Sequence, residues 1–119
     1  MEKPSFLGDI DADSLVVAKK TDNLSAVKRR ITKSVNLLID GCKRFKIGKT
    51  GVPERRFANY GGYDRMVLLC KSRCASVVET LEAYYNCKYR NHPKCDNIRG
   101  GSAADMSVGG KFFLYVVLR

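Results

Sequence analysis

Cys74, Val77, Val78, Leu81 and Tyr85 recur at the i, i+3, i+4, i+7, i+11 spacing of one helical face, and that stripe limits the possible folds more than any other feature. At about 100° per residue all five lie within roughly 60° of one line. A helix with so continuous an apolar face, "RCASVVETLEAYYNCKY", has to be covered by a second layer. Two apolar β-rich runs can provide it. "RMVLLCKS" precedes the helix and "FFLYVVL" closes the chain, and both read as strands.

Turn chemistry organises the rest. In "SVNLLIDGCKRFKIGKT" two β-rich runs flank Asp40-Gly41, a dipeptide suited to a tight primed turn, which predicts a hairpin with Lys46 opposite Val35 and Phe45 opposite Asn36. Pro53 fits the first position of a short helix, "VPERRFANY", and Gly61-Gly62 supplies its stop. "NLSAVKRRITKS" has helical spacing at Leu24, Val27 and Ile31, with a basic opposite face that lies in solvent or along a nucleic acid backbone. Residues 1–23 read as a loosely attached lead with a short helix around "ADSLVVAKK", and residues 24–119 as one domain. The order of elements predicts an α+β fold: a small antiparallel sheet, hairpin plus further strands, flanked by helices.

Charge narrows the partner. The chain of 119 residues carries 22 Lys+Arg against 12 Asp+Glu, a net +10. Residues 1–23 hold three basic and five acidic groups, which leaves 19 and seven, or +12, in the rest. A field of that sign favours a polyanion such as nucleic acid. No run reaches the eighteen or so apolar residues needed to cross a bilayer, and no signal-peptide core precedes the domain, so the expectation is an intracellular protein without a membrane partner.

Five cysteines, an odd number without a secretory signal, point to reduced thiols. Cys70, Cys74, Cys87, His92 and Cys95 loosely resemble zinc-finger spacing, but they fall on different expected elements. His92 is the only histidine and sits between Asn91 and Pro93 in a loop, which leaves the chain short of the commonest acid–base catalyst.

Phosphodiester chemistry needs cations for the charge that develops on phosphate and usually a carboxylate for a divalent metal. Lys46, Lys49, Arg55 and Arg56 surround one turn. Arg55 and Arg56 stand about 100° apart on their helix, so only one faces a given site. With Cys74 as zero, Glu82 falls at about 80°, bordering the buried stripe, and Glu79 at about 140°, facing solvent. Glu79 reads as a surface charge or as the partner of Ser76 in a capping box.

Together "FKIGKTGVPERRF", the strand after it, "LEAYYNCKY" and "CDNIRGG" resemble the GIY-YIG nuclease superfamily, in the branch where "KIGKT" replaces the tyrosine-containing YIG element. The likeness spans about residues 33 to 101. It implies that Arg56, eight residues after Gly48, clamps the scissile phosphate, that Glu82 ligates Mg²⁺ or Mn²⁺, and that Asn97 supports the site. Lys46 stands where the second motif tyrosine belongs, either losing its proton under crowding by Lys49 and Arg56 or staying a cation on the phosphate. The first motif tyrosine is missing, since Val35 and Asn36 occupy its expected place. "KFFLYVVLR" resembles the family's first strand and, if it pairs beside Lys46, brings Tyr115 to that vacancy. The implied activity is a metal-dependent DNA endonuclease, with Lys43, Arg44, Lys49, Arg55 and Arg99 on the nucleic acid and a homodimer or separate partner for recognition. The alternatives are a catalytically impaired nucleic-acid-binding domain of the same fold and a protein-interaction module.

Overall fold

The computed structural model describes residues 10–96 and 110–119, so Asn97 and Arg99 lie outside the described residues. The apolar spacing that begins at Leu24 does not stop at Ile31. It continues through Val35 and Ile39, and Leu24–Asp40 is one 17-residue helix, α1, with Val27, Ile31, Val35 and Ile39 buried. Asn23 starts it by accepting the Ser25 and Ala26 amides on its side-chain oxygen, at 2.9 and 3.3 Å, as a good N-cap does.

The expected hairpin at Asp40-Gly41 is therefore absent. Gly41 is the helix C-cap, with φ −98° rather than the positive angle of a primed turn. Gly just beyond a helical run is a common stop signal, and the four-residue period of the apolar positions overrides the β-branched composition of "SVNLLI".

Five strands follow the chain as β1 Ile10–Asp11, β2 Val16–Val17, β3 Phe45–Thr50, β4 Arg65–Ser72 and β5 Phe112–Leu118, with α2 Pro53–Ala58 and α3 Ala75–Lys88 between them. Pro53 opens α2 as expected. β5 lies at the centre, antiparallel to β3 on one side and β4 on the other. β1 and β2 each pair parallel with β4, so the sheet is mixed, not purely antiparallel. The two-residue strand Val16–Val17 stands where a short helix was expected, and Val16 and Ala18 are buried in the core; the parallel pairing with β4 ties this stretch to the domain.

The two faces of the sheet are covered differently. Phe45, Ile47, Val67, Leu69, Leu114 and Val116 point toward α1 and α3, into one core with Ile31, Val35, Leu81 and Tyr85. Burying an aliphatic or aromatic side chain of this kind stabilises by roughly 1.5–3 kcal/mol, so this face carries most of the fold. Tyr85 donates its hydroxyl to the Lys28 carbonyl at 2.8 Å and bonds Thr32 at 2.9 Å, joining α3 to α1. Burial pushes that phenol up to about 12. The opposite face holds a smaller cluster of Met66, Leu68, Tyr115 and Val117 under Phe57 of α2. Among the described residues no helix is long and apolar enough to cross a membrane.

The stripe on α3 is buried as its spacing predicts at Val77, Val78, Leu81 and Tyr85, while Cys74 is the N-cap, its side chain bonding the Ser76 hydroxyl at 3.0 Å and capping no backbone amide. The expected Ser76–Glu79 capping box does not form, because the helix begins two residues before Ser76 would cap it. Glu79 is exposed.

Candidate functional site

Strand alternation decides which cations share a site. Successive side chains on β3 point to opposite faces, so Lys46 and Gly48 face the α2 side, in register with Val117 and Tyr115, while Ile47 and Lys49 face α3.

On the α2 side β5 is the immediate neighbour of β3, with Gly48 directly across from Tyr115. Gly48 is needed there because any β-carbon would fall onto the Tyr115 hydroxyl and lie 2.6 Å from ring atom Cζ. The Arg56 Nε donates to the Tyr115 hydroxyl at 3.1 Å, and the Tyr60 and Tyr115 hydroxyls bond each other at 2.6 Å. Tyr60 is the meeting point of the charges, with the Arg56 guanidinium carbon 5.3 Å and Lys46 Nζ 5.6 Å from its ring centre.

The electrostatics of this cluster keep the cation charged and the phenol neutral. Burial raises the Tyr115 phenol far above its ordinary value, Tyr60 beside it adds to the rise, and Arg56 opposes it only in part. Burial pulls Arg56 down, but the Tyr115 and Tyr60 hydroxyls outweigh it and the net movement is up. Tyr115 is therefore held as a neutral, hydrogen-bonding phenol. It accepts from Arg56 and passes or receives one further hydrogen bond at Tyr60.

A second ring chain extends the cluster. Tyr60 packs edge-on against Tyr63 at 5.4 Å, and Tyr63 donates to Asp96 at 2.6 Å. Asp96 also takes Arg44 Nε at 2.7 Å and Arg119 at 3.5 Å. Burial pushes the Asp96 carboxyl up, yet Tyr63, Arg44 and Arg119 together hold it below the usual carboxylate range.

On the other side of β3, Lys49 Nζ meets Glu82 Oε1 of α3 at 2.8 Å. Glu82 is only 4% exposed, and its Oε2 has no hydrogen-bond partner. One helical turn later, Asn86 is 8% exposed with both Oδ1 and Nδ2 unpartnered.

Among the expected site residues, Lys46, Arg56 and Tyr115 thus come together around Tyr60, while Glu82 and Lys49 pair on the opposite face. Lys49 does not crowd Lys46. Arg55 is exposed, Arg56 half-buried and Lys43 exposed; Arg44 is occupied by Asp96. Tyr60 was not singled out from the sequence; it lies beyond the end of α2, and its bond to the Tyr115 hydroxyl is what places it in the cluster. Asn86 was not singled out either, although it stands four residues after Glu82 within α3, a spacing that places two side chains on one helical side.

A groove of about 580 Å³ runs between α1 and α3, lined by Lys28, Arg29, Thr32, Lys33, Asn36 and Tyr84, with Lys28 Nζ 4.3 Å from the Tyr84 ring centre. Cations toward the start of a helix are unfavourable for its dipole, and α1 has no acidic residue in its first turn to offset them.

No family model, curated protein or solved structure matches this chain.

Proposed function

We propose that the protein is a divalent-metal-dependent DNA endonuclease whose phosphate site is organised around Gly48. One observation carries the reading: Arg56 and Lys46, both cationic, converge on Tyr60 while the Tyr115 hydroxyl holds the Arg56 guanidinium across a glycine that admits no side chain. Preorganised donors aimed at one point are what a phosphoryl transition state requires. The surplus of 19 basic over seven acidic groups in residues 24–119 and the α1 groove supply the wider field for a polyanion.

The residues of the α3 side fit a hard divalent cation. Among the described residues no three His, Cys, Asp or Glu side chains gather to hold a metal, but Mg²⁺ is commonly held by one or two carboxylates with water and substrate phosphate as the remaining ligands. The buried, unpartnered Glu82 Oε2 suits that role. When bound there, the cation supplies Lewis-acid charge at the phosphate. β3 stands last in the strand order β1-β4-β5-β3, bridged on its outer side only at Phe45, to Cys95, among the described residues; a phosphate at the edge beyond that bridge would have Arg56 on one face of the strand and Glu82 on the other. Arg56 clamps the phosphate, Lys46 stands beside it, and the Tyr115–Tyr60 pair orients the guanidinium. A second copy or a separate partner accounts for sequence recognition.

Supercoiled plasmid incubated with Mg²⁺ or Mn²⁺, with and without chelator, tests this directly. Nicking that chelator abolishes is expected, and Glu82→Ala should lose cutting yet still retard DNA. Undiminished cutting by Glu82→Ala would sink the assignment. The Lys49–Glu82 ion pair and the raised Tyr115 phenol favour a second reading, a nucleic-acid-binding domain without catalysis. It predicts retarded, intact plasmid under every metal condition.

A further inference from the structure

Three side-chain atoms are buried without a hydrogen-bond partner among the described residues, Glu82 Oε2, Asn86 Oδ1 and Asn86 Nδ2, and all three lie on consecutive turns of one side of α3. Buried polar atoms are nearly always paired, and each exception calls for a cause. Here the exceptions occur together. Residues four apart on a helix are neighbours, about 5–6 Å between β-carbons, so the orphaned carboxylate oxygen and the orphaned amide oxygen border the same space. Lys49 satisfies Glu82 Oε1 at 2.8 Å and leaves Oε2 as the atom in want of a partner.

The chemistry of the atoms selects the ligand. A carboxylate oxygen repels an anion, and a carboxylate with an amide carbonyl is an oxygen-only donor set, which suits Mg²⁺, Mn²⁺ or Ca²⁺ over the thiolate- and imidazole-seeking metals. We propose that Asn86 is a second protein ligand beside Glu82, forming with it a Glu-x-x-x-Asn pair that binds a hard divalent cation on α3. The proposal rests on the reading of Glu82 as the metal carboxylate and adds a residue to it. The Asn86 amide nitrogen then remains as a donor toward an oxygen of a phosphate drawn to the cation.

Titration of the chelator-treated full chain with Mn²⁺ alone, followed by the electron paramagnetic resonance signal of free Mn²⁺, tests this without any catalytic readout. Asn86→Leu, similar in volume but lacking the oxygen, should weaken Mn²⁺ binding by roughly tenfold or more, the scale on which metal sites respond to losing even a supporting partner. Its melting temperature in chelator should hold or rise, because an unsatisfied buried amide has been replaced by an apolar group. Asn86→Asp, which keeps an oxygen and adds charge, should bind Mn²⁺ at least as tightly as the unaltered chain.

Wild-type affinity in a folded Asn86→Leu, or weakened binding in Asn86→Asp, overturns the proposal, and so does an unaltered chain that binds no Mn²⁺. If Asn86→Leu is too unstable to assay, the Asn86→Asp measurement alone decides. Glu82→Gln separates the two readings. Loss of Mn²⁺ by Glu82→Gln with normal binding in Asn86→Leu removes Asn86 from the site and leaves the endonuclease reading standing, whereas normal binding in Glu82→Gln removes both.

Discussion

The two faces of β3 are polar in opposite senses. Toward α2, Arg56, Tyr115, Tyr60, Tyr63 and Asp96 form a linked series in which the hydroxyls and the carboxylate have partners. Toward α3, Lys49 satisfies one oxygen of Glu82, and three buried polar atoms remain orphaned. A satisfied network is rigid and holds a cation in place before anything binds. An unsatisfied one stores its bonding capacity for a ligand. On the proposed reading, the first face orients and the second ligates.

The sharpest way to break the comparison is Arg56→Ala. If the α2 face orients the phosphate in the transition state, cutting of plasmid should fall by about 10²- to 10³-fold, as when one preorganised donor is removed, while DNA retardation changes much less. An equal loss of both would make Arg56 a mere contact. Gly48→Ala attacks the same face sterically. The added carbon meets the Tyr115 hydroxyl and ring, and overpacking of this kind costs about 1–3 kcal/mol, read as a lowered urea midpoint. Pairing it with Tyr115→Phe should relieve only part of that loss, since Cζ stays in the way; full relief would show that the hydroxyl alone crowds Gly48.

A smaller effect separates the network by pH. The folded-state Asp96 carboxyl lies below its ordinary value, so its contribution is present above about pH 4, the unfolded carboxylate range, and is lost as pH falls through the folded value. Urea midpoints taken from pH 6 down to pH 3 should therefore fall less steeply for Asp96→Asn than for the unaltered chain. Parallel curves would show that Asp96 adds no linkage. The smallest expected change is at Ser76→Ala, which removes an exposed hydroxyl that caps no backbone amide of α3 and bonds only the Cys74 thiol, and should alter thermal stability by less than about 0.5 kcal/mol.

Much of the fold was legible because it is encoded locally. Pro53 and the α3 stripe each specify a helix through a few neighbouring residues, and "MVLLC" and "FFLYVVL" are unbroken apolar runs of strand length. Asp40-Gly41 misled because the same dipeptide serves a primed turn and a helix stop. Only the continuation of the apolar period through Val35 and Ile39 tells the two apart. Of the proposed site, the sequence named its parts and not their grouping: Arg56 through the spacing from Gly48 that the resemblance implies, and Glu82 through its angle on α3. Their separation onto two faces follows from the two-residue alternation of β3, and the place of Tyr60 from its bond to Tyr115, far away in sequence.

By itself, then, the sequence determined which segments are helical or extended after Asp40, which glutamate of α3 borders the core, and where positive charge is concentrated, because periodicity and composition act over a few residues. Only the tertiary structure decided that β5 sits between β3 and β4, that Tyr115 lies across Gly48, and that Lys46 and Lys49 part company. Strand pairing and side-chain satisfaction are long-range properties. They are settled by which surfaces meet when the core closes.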